Sequence, residues 1–243
     1  MSALVAQTKA ELYMTLRRGE TLLLTVGIPV VFLVFFSTVH VVSTPTAKAV
    51  DFFTPGILAL AVMSTAMVSL GIATGFERGY GVLKRLGATP LGRPRLLGAK
   101  IVTIVVVEVI QAAVLVPVGY LLGWHPGGHG TGALAAVGVV LLASMAFAGV
   151  GLFMAGVLKA EVNLAAANGL YLVLLLLGGM VVPLGKLPTA LADVAKVLPA
   201  DALAAGLHAA LGSGSGVPAP SWVVLAVWAV AAPLAAALSF RWE

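Results

Sequence analysis

The sequence runs to 243 residues, of which 60% are hydrophobic and only 9% charged. Soluble domains carry about 25% charged residues, so this chain cannot hide its apolar surface in one core and must use lipid as its solvent. It has no cysteine, which excludes a disulfide framework, a thiolate zinc site and a cysteine nucleophile. Its net charge of +5 depends for its meaning on where the lysines and arginines stand between the apolar runs.

At the start, Ser2–Thr21 places Val5, Thr8, Leu12 and Leu16 at helical spacing. This predicts an amphipathic helix in the membrane interface, turning into the first span near Gly19. Six spans follow, read between charges and breakers: Leu22–Val42, Thr54–Phe76, Ile101–Leu122, Ala133–Leu158, Leu164–Val182 and Trp222–Phe240. About twenty residues at about 1.5 Å each cross a hydrocarbon core about 30 Å thick. No Lys, Arg, Asp or Glu separates spans three and four, so the glycine- and proline-rich run Gly123–Gly130 must make that turn.

Lys and Arg counts orient the chain. With the N-terminus inside, the inner segments hold Lys9, Arg17, Arg18, Arg78, Lys84, Arg85, Arg93, Arg95, Lys100, Lys159 and Arg241. The outer ones hold only Lys48, Lys186 and Lys196. Both termini are therefore expected in the cytoplasm of a cell whose inner (plasma) membrane holds the protein. The positive charge is a topology signal, and no basic domain stands apart to bind nucleic acid. The chain reads as one transmembrane domain over 1–243, an all-α membrane protein with three non-spanning parts at 1–21, 77–91 and 183–219.

Between spans two and three, Val82, Leu83 and Leu86 can form one face of a short helix, with Arg78, Lys84 and Arg85 around it. Pro90 should end that helix and Pro94 start the next. The composition leaves open whether this is a docking helix or a solvated basic loop. The third non-spanning part, Pro183–Ala219, is broken by Pro183, Pro188 and Pro199. Thr189–Val197 and Asp201–Leu211 read as short helices that dip into the outer leaflet as a re-entrant pair.

No HExxH, GxSxG or GxxxxGK[ST] pattern is present, so no catalytic residue is expected. His125 and His129 read as a polar outer turn and not as a metal site, while His40 and His208 sit near the outer interface. Glu108 is the sole acidic residue inside a span. An intramembrane carboxylate serves either a polar path or a structural hydrogen bond, and Gln111 shares its face. With Met63 and Met67, these two form the candidate substrate path. Methionines in spans also serve simply as packing. Gly71 and Gly75 give a small-xxx-small pair for close helix contact.

Glu77-Arg78, Gly81, Leu83, Arg85-Leu86, Ala88-Thr89-Pro90-Leu91 and Leu96-Leu97-Gly98-Ala99-Lys100 together resemble the signature of the ABC type-2 permeases. The branch they resemble is the bacterial drug and lipid exporters, which include daunorubicin-resistance-like membrane subunits. Gly178–Leu184, Leu187-Pro188, Leu198-Pro199, Leu203 and Leu207 resemble that family's C-terminal half. There are departures: Gly79 and Tyr80 stand where the family often has an acidic residue, Val82 where it often has Thr, and Lys84 where it often has Glu.

The resemblance implies a six-span permease that pairs with a second copy or a homologous permease. It implies a separate cytoplasmic ABC ATPase that carries the ATP and Mg, with no cofactor bound by this chain. Glu77–Leu91 would be the coupling helix, with Glu77, Arg78, Tyr80, Val82, Leu83, Lys84, Arg85, Leu86 and Thr89 at the ATPase contact. The expected function is outward movement of a hydrophobic or amphipathic drug or lipid. Export of a lipid-linked glycan, or a secondary carrier using Glu108, are the alternatives.

Overall fold

The computed structural model describes residues 3–17, 19–39, 44–87, 93–127, 130–214 and 216–239. Among them every regular element is helical. Helix α1 spans Ala3–Arg17 and α2 spans Gly19–Thr38. Helix α3, Ala49–Met63, continues through a π-helical turn at Ser64–Ser69 into α4, Leu70–Gly79. The short α5, Val82–Gly87, precedes the long α6, Arg93–Leu121, and α7, Gly130–Val157. Then come α8 (Ala160–Leu177), α9 (Thr189–Ala195), α10 (Pro199–Leu207) and α11 (Ala219–Ser239).

Five of these helices are long and apolar enough to cross a membrane: the continuous α3–α4, α6, α7, α8 and α11. The 20-residue α2 carries a shorter apolar stretch, Leu23–Thr38, and its full length of about 30 Å suffices for a sixth. Helix α9 and the segment Pro199–Gly212 meet at 84°, so this pair is sharply bent and not a straight crossing. The protein is thus a multi-pass membrane protein. Large side chains such as Leu23, Leu121, Leu134 and Leu238 stand exposed around it, a surface that suits lipid and not water.

Elements reach further than hydropathy alone suggests. Helix α6 begins two turns before Ile101, because Arg93–Lys100 continues the helix past the apolar stretch. Pro29, Pro55, Pro117 and Pro233 lie inside helices without ending them, as membrane helices tolerate when neighbours satisfy the freed carbonyls.

Helix α3 is the centre of the fold. Every residue from Phe52 to Met63 is buried, and α2, α6, α7 and α10 pack around it. The crossing of α4 over α7 is unusually tight. A Cβ at Gly71 would lie 3.0 Å from the Gly151 carbonyl oxygen, and one at Gly151 would lie 2.5 Å from that of Met67. Only glycine permits that approach. The buried Asn163 of α8 donates to the Gly71 carbonyl at 2.8 Å, fixing α8 to the same crossing.

The helices have two distinct ends. One gathers Glu11, Glu77, Arg78, Lys100 and the last turn of α7 and is called the basic end. The far end gathers the α2–α3 connection, the α6–α7 turn and the α8–α10 region.

Candidate functional site

At the basic end, one lysine ties three helices together. Lys100, near the start of α6, is only 2% exposed. Its ammonium lies 2.6 Å from Glu77 Oε2 at the end of α4 and 3.2 Å from Glu11 Oε1 on α1. Gln7 donates to Glu11 Oε1 at 3.0 Å, holding that carboxylate in place. Neighbouring Arg78 turns the other way and donates to the carbonyls of Gly156 and Leu158. These are among the carbonyls left unpaired at the end of α7, where a cation also opposes the helix dipole. Glu77-Arg78 therefore clamps α4 to α1, α6 and α7 at once.

The chain then turns sharply. Gly81 has φ +71, a left-handed conformation that favours glycine, and its N–H bonds back to the Arg78 carbonyl at 2.9 Å. Helix α5 follows directly. Leu83 is its buried anchor, while Val82, Lys84 and Arg85 face outward. Tyr80 is 71% exposed and stacks on Phe76, with ring centroids 6.0 Å apart. Among the described side chains the helix is anchored by Leu83, and with Tyr80 just before it presents an apolar, aromatic and basic surface. The Leu86 side chain, Thr89 and Pro90 lie outside the described residues.

The side of α1 that packs on the bundle is a polar one. It is centred on Glu11, with Gln7, Thr8 and Leu12 half-buried beside it, while Val5 is exposed. The ion pair with Lys100 holds this side against α6.

Midway along α6, Glu108 is 5% exposed. Ser144 of α7 donates to its Oε2 at 2.5 Å, while Oε1 has no hydrogen-bond partner. Gln111 is held at both ends of its amide. Its amide nitrogen donates to the Thr25 carbonyl at 2.9 Å, and its oxygen accepts from Thr65 at 3.1 Å. One glutamine thus joins α2, the π-helical turn and α6, a place where π turns often mark function. Met63 and Met67 are fully buried in the core, away from the cleft that Glu108 and Gln111 line.

At the far end a cavity of about 620 Å³ opens between Asp51, His125, Asp201 and His208. Burial pushes the Asp201 carboxyl up to about 6, against the pull of Lys196. The His208 ring lies between two carbonyls, Ala204 at 2.7 Å and Phe52 at 3.0 Å. A neutral ring has one N–H and serves one of them at a time. No group of three metal-ligating side chains occurs among the described residues. His40 and His129 lie outside them.

The family model for the ABC-2 type transporter matches residues 2–211. The chain belongs to the ABC-2 type transporter family. It is 24% identical over 231 residues to a Bacillus subtilis (strain 168) protein named "Putative transport permease YvfS", covering 91% of this chain and 89% of that one. As an ABC-2 permease, the chain places Glu77–Gly87 and Leu96–Lys100 of the family-like motif at the basic end. Lys100 closes that motif, but its two-sided ion pair was not evident from sequence. The only signal was a lysine set directly after Leu96, Leu97 and Ala99, against which it would have to be buried. Asn163 and Ser144 carried no signal beyond being polar within apolar runs.

Proposed function

We propose that this permease is the membrane subunit of an ATP-binding-cassette exporter. It moves a hydrophobic or amphipathic molecule outward and takes its energy from ATP hydrolysis, with Mg, on a separate cytoplasmic subunit. The basic end then faces the cytoplasm with both termini, and two permeases pair to enclose the path. The observation that carries this reading is the α5 surface. Tyr80 in the turn and Val82, Lys84 and Arg85 on α5 face outward, directly after the end of α4 that Glu77, Arg78 and Lys100 tie to α1, α6 and α7. A push on α5 reaches four helices through bonded contacts. A docked ATPase that closes on ATP would thus bias the membrane helices between two arrangements.

The test is co-purification. Co-expressed with candidate ABC ATPases, the native chain should retain one of them. The double variant Lys84→Glu, Arg85→Glu should retain at least about tenfold less, because like charge across a docked surface is repulsive. Equal retention by both chains would remove α5 as the docking element.

A further inference from the structure

We propose that the cleft between α3, α6 and α7 binds a hydrophobic amine, whose N–H donates to Glu108 Oε1. The cleft has a volume of about 260 Å³. Its walls are apolar, formed by Leu58 and Val62 of α3, Val109 and Ala112 of α6, and Val137 and Val140 of α7. Val109 and Val137 are 62% and 55% exposed, so the cleft opens sideways toward lipid between α6 and α7. Gln111 also lines it, but both ends of its amide are engaged. That leaves Glu108 Oε1, buried and unpartnered.

A buried polar atom without a partner costs about 1–3 kcal/mol, and native proteins leave few of them. Ser144 does not fill the need. Its hydroxyl has one hydrogen and two acceptors within reach, Glu108 Oε2 and the Val140 carbonyl at 2.8 Å. Among the described residues Glu108 has no ion-pair partner. An occupant that brings a donor satisfies this atom, and an ammonium, which keeps the carboxylate ionised, brings the strongest, since charge-assisted bonds are roughly twice as strong as neutral ones. Carboxylates and phosphates are disfavoured.

Depth selects the rest of the molecule. Glu108 stands about 10 Å along α6 from Ile101, where the apolar stretch begins, and about 20 Å from Leu121, at about 1.5 Å per residue. A bilayer lipid keeps its headgroup at the surface and reaches that depth only with its tails. A compact apolar body with one basic nitrogen can place an N–H there.

This assignment names the cargo class of the proposed permease, yet its measurement needs no ATPase. The full chain is placed in phosphatidylcholine nanodiscs and titrated with pyrenebutylamine and its neutral N-acetyl derivative, with empty nanodiscs subtracted. The native chain should bind the amine saturably and more tightly than the amide. Glu108→Gln keeps the shape and should weaken amine binding at least about tenfold, the loss typical of a bond to a charged group, while leaving the amide unaffected. Val137→Trp, at the exposed mouth, should weaken both probes and keeps the test open if the first variant fails to fold. Unchanged amine binding in either folded variant would overturn the site. A chain that retains an ATPase but shows no saturable amine binding overturns the cleft alone. One that binds the amine but retains no ATPase overturns the exporter reading and leaves the cleft standing.

Discussion

Lys100 is the residue on which the basic end depends. It neutralises one of two carboxylates and lies close to both. Removing one member of a buried ion pair costs about 3–5 kcal/mol, and a part of that is recovered here because Glu77 keeps some solvent exposure. Lys100→Met should therefore lower the stability of the purified protein by about 2–3 kcal/mol, read as a drop in melting temperature in detergent. Lys100→Met with Glu11→Met and Glu77→Gln leaves no unpaired carboxylate and should recover most of the loss. If the single variant melts with the native protein, the three-helix tie contributes nothing.

Among elements, the crossing of α4 and the π-helical turn over α7 is one of the close contacts. Gly151→Ala puts a methyl group against the Met67 carbonyl. Overpacking of this kind costs about 1–3 kcal/mol, so its melting temperature should fall clearly. Gly169→Ala is the internal control. It lies inside α8, where an added methyl group would meet nothing within 4 Å. It should be neutral or slightly stabilising, since Ala is the better helix former by about 1 kcal/mol. A similar response in both variants would mean that the crossing is not tight. Much of this level was legible beforehand. Apolar runs of about twenty residues show themselves in any membrane chain, and Gly71 already marked a close contact. The partners were not legible. Gly71 meets Gly151 and Asn163, which belong to distant helices, and a small-residue pair does not name what lies against it. The same holds for the candidate sites. Glu77-Arg78 could be read as a motif and Glu108 as an isolated charge. The inward turn of Glu11 depends on α1 lying against α6, and the freedom of Glu108 Oε1 depends on which donors α7 brings to the carboxylate, where Ser144 meets Oε2 alone. Neither is written in local spacing.

For the whole molecule, the segregation of charge between two ends is the feature that sets direction. The proposed orientation predicts opposite labelling of two exposed lysines in a chain that has no cysteine of its own. Lys186→Cys, at the far end, should react with a membrane-impermeant maleimide on intact cells. Lys84→Cys, on α5, should react only after the membrane is opened. The reverse pattern would invert the orientation, and with it the side on which an ATPase could dock.

The burial of α3 also has a consequence for how the protein is made. This helix emerges from the ribosome near the start of the chain, yet α7 and α10, which cover it, are synthesised much later. Its faces are almost entirely apolar, so it can wait in the bilayer with lipid against surfaces that protein will later occupy. Insertion and assembly are then separate stages, and the last helices displace lipid from the first.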